Sequence, residues 1–479
     1  AMVYTIASNQ VNRIRYLKSQ RTLIVGTTGG EFTVSADGTD AAITPTNIVI
    51  KKQSSYGTAN VDAIPAGNAI LFLQKAKRKI RELAYNFDTD GYVAPDLTIL
   101  NDIVTKSGVT EMSYQQEPDS ILWCVRDDGI LAGLTYQRSE NVVAWHRHIL
   151  GGKFGEATIT VTDFANIADA TKIVFTKSDG TTTTFTSATS ATAGKFHNTS
   201  SNNQTATNLK TLIDADSDFT ATVASNVVTI KETSPQATGF LTISSGDTTR
   251  LASTDEGHAV VESAASISGE LTEDEFYIIV KRTVNGSTKR YVEVFANFDF
   301  DETDATDFRF LDSHLTYSGS ATTSLSGLAH LEGQTVSVLA DGSTHADKVV
   351  SSGSISLDRS ATKAVVGLAY DSVLQTMRIE GGAAEGTSQG KTKRISKVVL
   401  RLFETVGVKV GPSLSNLETV PFRTTSSNLS APVDTLLAGD KEVEFRDDYN
   451  TDGFIFIKQD QPLPLSVLAI YPTVVTSDG

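Results

Sequence analysis

The sequence predicts an all-β protein: a β-propeller-like body, a small β-rich domain inserted into it, and a C-terminal β-sandwich or barrel. Three observations carry that reading. One strand–turn–strand unit recurs four times, with apolar strands beginning at residues 23, 70, 121 and 277. The first two spacings are 47 and 51, and the third, 156, falls to 52 once the 104 residues 154–257 are set aside. A period of about 40–50 residues with several strands per repeat is the mark of a propeller blade. Those 104 residues are themselves foreign in composition, and from about residue 311 the strand pattern changes once more.

Four units divide the chain: propeller-like blades over 1–153, a Thr-rich insertion over 154–257, a continuing blade over 258–310 and a C-terminal β domain over 311–479. Within the blades, Leu23-Ile-Val-Gly turns through Thr-Thr-Gly-Gly30 into Glu31–Val34, and Ile70-Leu-Phe-Leu turns through Lys75–Lys79 into Ile80–Leu83. Ile121-Leu-Trp-Cys turns through Arg126-Asp-Asp-Gly129 into Ile130–Leu134, and Tyr277-Ile-Ile-Val turns through Val284-Asn-Gly-Ser287 into Arg290–Val294. A further strand precedes each hairpin, at Val11–Leu17, Val61–Ile64, Val109–Tyr114 and Val260–Ala264, so each unit is expected to reach about four strands. The insertion has no Trp, Tyr, Met or Cys, and strands such as Thr158–Val161 and Lys172–Phe175 alternate cleanly. Leu209, Leu212 and Ile213 form one stripe and predict a helix over Thr205–Ala215. Its expected role is packing or decoration, with recognition of a partner or glycan as the alternative. In the C-terminal part, Val336–Leu339, Ser354–Leu357 and Ile395–Phe403 read as strands, and Phe454–Ile457 with Leu463–Tyr471 reads as a closing pair.

Composition bounds the function. At 39 % hydrophobic and 20 % charged residues the chain has apolar material for several cores. A formal charge of −15 argues against a protein that grips phosphates through basic side chains, though not against one past which DNA slides. The single cysteine, Cys124, lies in an apolar run and is expected to be a buried strand residue, so no disulfide framework exists within the chain. Apolar runs such as Ser466–Tyr471 are too short to cross a bilayer, no signal peptide is visible, and no stable membrane insertion is expected. The opening at Val3–Ile6 already reads as a strand and suggests part of a longer protein, with Ala1-Met2 as a cloning remnant.

The ordered segments Thr22-Leu-Ile-Val-Gly-Thr-Thr-Gly-Gly-Glu31, Ile43-Thr-Pro-Thr-Asn47, Ser55-Tyr-Gly57 and Gly91-Tyr-Val-Ala-Pro-Asp-Leu-Thr98 are followed by Tyr114-Gln-Gln-Glu-Pro-Asp119, Gly133-Leu-Thr-Tyr136 and Trp145-His-Arg-His148. After the insertion come His330-Leu-Glu-Gly333, Leu339-Ala-Asp-Gly342 and Gln459-Asp-Gln-Pro-Leu-Pro464. Together they resemble the tail nozzle, or tail hub, proteins of short-tailed bacteriophages, over residues 3–152 and 258–479. The resemblance implies a virion structural protein and not an enzyme. It would be a subunit of a six-fold ring, a hexamer, below portal and adaptor, assembled in the host cytoplasm, carrying tail fibres or spikes and a plug, and letting double-stranded DNA pass without sequence-specific binding. Such proteins carry a substantial region ahead of the stretch that begins here, and the 154–257 insertion lies outside the common pattern. The alternative classes are a carbohydrate-binding or glycan-cleaving β protein and a secreted adhesin.

No catalytic, cofactor-binding or metal-binding residue is assigned from sequence, and no cofactor is expected. Asp448, Asn450, Asp452 and Gly453 match the start of a calcium loop, but Gln459 stands where a bidentate Glu is needed, so an Asp-Gly hairpin turn is preferred. Asp214, Asp216 and Asp218 are followed by Phe219 and Ser225 at the positions for Gly and Glu, and read as a solvated helix end. Asp301, Glu302 and Asp304 read as an exposed acidic loop within Asp299–Asp307. His146 and His148 share a strand face without a third ligand, which favours packing. Lys75, Lys77, Lys79 and Arg81 would share one face if strand-borne, as a solvated hairpin tip, a contact to an acidic neighbouring subunit, or a guide for passing DNA; Lys391, Lys393 and Arg394 carry the same ambiguity. No Gly-x-Ser-x-Gly elbow and no Gly-rich phosphate loop are present.

Overall fold

The computed structural model describes residues 4–6, 12–38, 41–151, 156–177, 181–233, 241–255, 259–269, 272–284, 287–296, 305–380, 387–422 and 436–477. It is all-β with one α-helix among the described residues, and it divides into two units. The first holds residues 1–150, 259–283 and 288–295; the second holds 151–258, 284–287 and 296–479.

The first unit is a run of four sheets whose strands follow one another in chain order. The first sheet comprises Ile14–Ser19, Leu23–Thr27, Gly30–Ala36 and Ile48–Ser54. The second comprises Ile64–Ala66, Ala69–Leu73, Ile80–Asn86 and Gly91–Val93, and the third Val109–Gln115, Ile121–Arg126, Leu131–Gln137 and Val142–His148. Among the described residues the fourth has three strands, Val260–Ile267, Glu275–Val284 and Ser287–Val294. The turn residues 285–286 lie outside the described residues.

The sheets stack face to face, and the two-residue side-chain period of a strand decides which neighbour each residue meets. Tyr16 and Ile24 pack with Ile70, Phe72 and Leu83 between the first and second sheets. Leu71, Leu73 and Ile80 point the other way and meet Leu122, Cys124 and Leu134 of the third. Trp123, Val125 and Leu131 in turn meet Val261, Phe276 and Ile278 of the fourth. Middle strands covered on both faces therefore read as unbroken apolar runs rather than alternating ones, and each large side chain removed from water contributes about 1.5–3 kcal/mol. A repeated backbone bond registers the stack. Thr58 N–H donates to Thr27 O at 2.8 Å, Val109 N–H to Lys77 O at 2.8 Å, and Val261 N–H to Gly129 O at 2.9 Å. In each case the turn of one inner hairpin holds the chain entering the next sheet. The chain leaves the third sheet at Leu150 and returns at Ala259, whose N–H donates to Leu150 O at 2.9 Å.

Segment 154–257 has its own core. Two four-stranded sheets, centred on Glu156–Val161 and Lys172–Thr176, enclose Phe175, Phe185 and Phe219 in edge-to-face contact with each other. The helix spans Asn202–Asp214 rather than Thr205–Ala215, because the Ser201 hydroxyl caps it by accepting from Gln204 N–H at 3.1 Å. The Ser201-x-x-Gln204 spacing is the signature that places this start three residues earlier than the apolar stripe does. Ala206, Leu209 and Ile213 face the core.

Among the described residues the C-terminal part contains three sheets, and none of these closes into a barrel. Asp312–Ser326, Ser354–Leu368, Thr335–Ala340 and Ser343–Val349 form one, around Val336, Val338 and Val366. The expected closing pair is separated. Phe456–Gln459 lies between Ser372–Gln375 and Lys409–Ser413, whereas Val467–Ser477 pairs with Thr392–Thr405. Pro462 and Pro464, which have no N–H to donate, stand between the two strands, where the chain crosses from one sheet to another.

Candidate functional site

The residues singled out for chemistry fall into two groups: those used to lock sheets together and those left on turns. The histidine pair belongs to the first. Val142–His148 is the last strand of the third sheet, and its register sets His146 opposite Gly133. A Cβ at position 133 would lie 2.1 Å from His146 Cε1, so the ring can lie across that strand only because residue 133 is glycine. His146 Nδ1 and His148 Nε2 are 2.8 Å apart, one donating and the other accepting. Both rings edge onto Trp123, which stacks on Phe276 at 4.6 Å and contacts Phe295 at 5.3 Å. Burial drives both imidazoles down, His146 to about 4, and the neighbouring His146 lowers His148 further. The pair is thus a neutral, hydrogen-bonded wedge in an aromatic seam. Among the described residues no group of three or more His, Cys, Asp or Glu could hold a metal ion.

A second lock escaped sequence reading. Glu31 is fully buried between the first and second sheets, where its carboxylate accepts from the hydroxyls of Ser54 and of Thr58, the latter at 3.0 Å. Burial raises its pKa, and bonds from Ser54, Thr58 and the Gly57 backbone with the nearby Arg81 charge only partly offset that rise. Tyr16 lies beside it with its hydroxyl pushed far above the usual phenol range by burial and by Glu31. The Tyr16 ring covers Gly26, where a Cβ would sit 2.0 Å from Tyr16 Cε1. Glu31 lies near the start of strand Gly30–Ala36, where a charged residue beside the turn carries no sequence sign of burial.

Further locks come from the motif segments. Asp274 accepts from the Gln116 and Glu117 N–H groups at 2.7 and 3.2 Å, and its carbonyl accepts from Gln115 Nε2 at 3.1 Å. Trp123 Nε1 donates to Gln115 Oε1, and Trp145 Nε1 donates to Leu97 O. Cys124 is buried, and burial pushes its thiol well above the ordinary range, as its apolar surroundings imply.

The basic cluster is a solvated hairpin tip, as the apolar strands on either side of it imply. Strand Ala69–Leu73 ends before it and Ile80–Asn86 begins after it, so Lys75–Lys79 form a turn, with Lys77 at φ 63°. They cannot share a strand face with Arg81. Arg81 lies 3.5 Å above the Tyr56 ring and donates to Gln74 Oε1 and Ala94 O. Lys79 pairs with Asp96; burial pulls that carboxyl upward, but the Lys79 and Thr98 bonds outweigh it and hold the pKa below the usual value. Lys75, Lys77 and Arg78 stand exposed on the turn. In the C-terminal part Lys393 is fully buried and donates to Ile379 O at 3.1 Å, while Arg394 donates to Asp447 O, so that trio is not a free basic tip.

Of the acidic candidates, the first is a turn and the second a helix end. Asn450 Oδ1 accepts from Asp452 and Gly453 N–H at 3.0 and 2.7 Å, Asp452 pairs with Arg378, and Gln459 is buried, donating to Val406 O. Asp214 and Asp218 are paired with Lys210 and Lys177. Asp301, Glu302 and Asp304 lie outside the described residues; Asp307 pairs with Lys363 at 3.2 Å.

No family model matches this chain, and no curated protein matches it.

Proposed function

We propose that this chain is a structural subunit of a short bacteriophage tail, a nozzle or hub ring that forms the channel for genome ejection. The observation that carries the proposal is where the family-like motifs sit. Gly26–Glu31, Tyr114–Asp119 and Trp145–His148 are spent on holding one sheet to the next rather than on lining a cleft. Residues used in that way suit a rigid body whose work is mechanical. On this proposal the four stacked sheets are consecutive propeller blades, and the ring sits below portal and adaptor and carries fibres or spikes and a plug. The net charge of −15 suits a wall that duplex DNA passes without adhering.

Native mass across a concentration series, with negative-stain images of the large species, tests it. Rings with a central hole, and the chain in the tails of purified virions, are the expected results. A chain absent from virions overturns the proposal.

A further inference from the structure

The four-sheet unit has two rims, and their chemistry differs. Antiparallel strands place successive turns at alternate ends of a sheet. The three backbone bonds from Thr58, Val109 and Val261 gather the inner-hairpin turns and the inter-sheet connections at one end. The turn residues 20–22, 37–38, 41–47, 87–90, 116–120, 138–141, 268–269 and 272–274 therefore lie at the other.

The first rim is basic with an apolar tip. Lys75, Lys77 and Arg78 project from the second sheet's turn. The connection that follows is fastened to that turn by Thr105 Oγ1, which donates to Arg78 O at 2.5 Å, and it adds the exposed Lys106. The same connection holds Ile99, Leu100 and Ile103 in water, 72 %, 99 % and 55 % exposed. Single exposed aliphatics are ordinary, but three within five residues form a patch that a partner would cover. Asp62, Asp102 and Asp127 are the exposed carboxylates on this rim's turns and connections, and Asp62 is paired with Lys18.

The opposite rim is acidic with an aromatic tip. Phe87 is 87 % exposed and is flanked by Asp88 and Asp90, with Tyr85 beside them donating to Asp90 at 2.6 Å. Asp37, Glu117, Asp119, Glu140 and Glu273 are exposed on its other turns. Against them stand Arg21 and Arg138, and Arg138 is already paired with Glu82.

The geometry points to a head-to-tail contact between copies of this chain, in which the Leu100 tip and its surrounding cations seat against the Phe87 tip and its surrounding carboxylates of the next copy. Each rim offers what the other lacks, an apolar knob ringed by the opposite charge, and the aliphatic tip favours a protein surface over a phosphate backbone. Such a contact joins two different surfaces, so copies close into a ring or run on as a filament according to the rotation between them. Its place in a ring rests on the proposal above; the contact itself does not.

Sedimentation of the full chain across protein and salt concentration tests it, with Lys77→Glu/Arg78→Glu and Leu100→Ser as variants at exposed positions. Wild-type association that weakens with salt, and is at least about tenfold weaker in either variant, is expected. Adding Asp88→Lys/Asp90→Lys to the charge-reversed chain should restore it. Rings that form equally well in all variants overturn the rim contact while leaving the tail proposal standing. Salt-sensitive filaments without rings, with virions free of the chain, do the reverse. A wild type that stays monomeric, a failed charge rescue in a folded chain, or loss of duplex DNA retention with unchanged mass also overturns the contact.

Discussion

The seam between the first and second sheets and the seam between the third and fourth solve one problem with opposite chemistry. Both lay an aromatic or imidazole ring across a strand at a glycine, Tyr16 over Gly26 and His146 over Gly133. The first then buries a carboxylate and surrounds it with donors, whereas the other buries two imidazoles and surrounds them with rings. The first seam retains a group whose charged form burial disfavours. The other retains groups that neutral pH leaves uncharged. Stacked sheets thus need a shared shape at the seam, while the polar content can differ in sign.

The largest effect is expected from Trp123→Ala, which removes the ring on which the third–fourth seam converges and should cost about 4 kcal/mol. Urea unfolding followed by amide exchange in Val260–Ile267 checks whether that seam opens first. Gly133→Ala and Gly26→Ala come next, at about 2 kcal/mol each, since a ring must leave its place in both. A large loss in one and none in the other would break the proposed equivalence.

Acid sharpens the contrast. The histidines have depressed folded pKa values, so their contribution is present above about pH 6.5 and is lost as pH falls through about 4. Glu31 has a raised folded pKa, so its contribution is complete below its ordinary pKa and is lost as pH rises through the folded value. Glu31→Gln should therefore match or exceed wild-type stability at pH 7, by up to about 1 kcal/mol, and lose that advantage near pH 4. Unfolding midpoints at the two pH values measure it, and a variant less stable at pH 7 than at pH 4, relative to wild type, contradicts the sign. The smallest effect belongs to the seam between these two: Cys124 should react with a thiol reagent only after unfolding.

The scaffold was legible because middle strands such as Ile121–Arg126 are apolar throughout and recur at a steady spacing. Local periodicity could not show that Phe456–Gln459 and Val467–Ser477 part company, since strand partners are chosen by distant segments. The basic turn was legible: it stands between two apolar strands, and Leu73 opposite Ile80 closes the hairpin whose tip it forms. His146 and His148 were read as packing residues on one face, which they are, but Gly133 opposite them gave no warning of its purpose.

The bond between Leu150 and Ala259 has a practical consequence. The two ends that flank the Thr-rich segment are already neighbours, and that segment's own first and last strands pair with each other, Ala157 opposite Asp255. The chain therefore enters and leaves this segment side by side. A short tether from Leu150 to Ala259 should allow it to be excised, or another fold spliced in, without re-registering the sheets on either side.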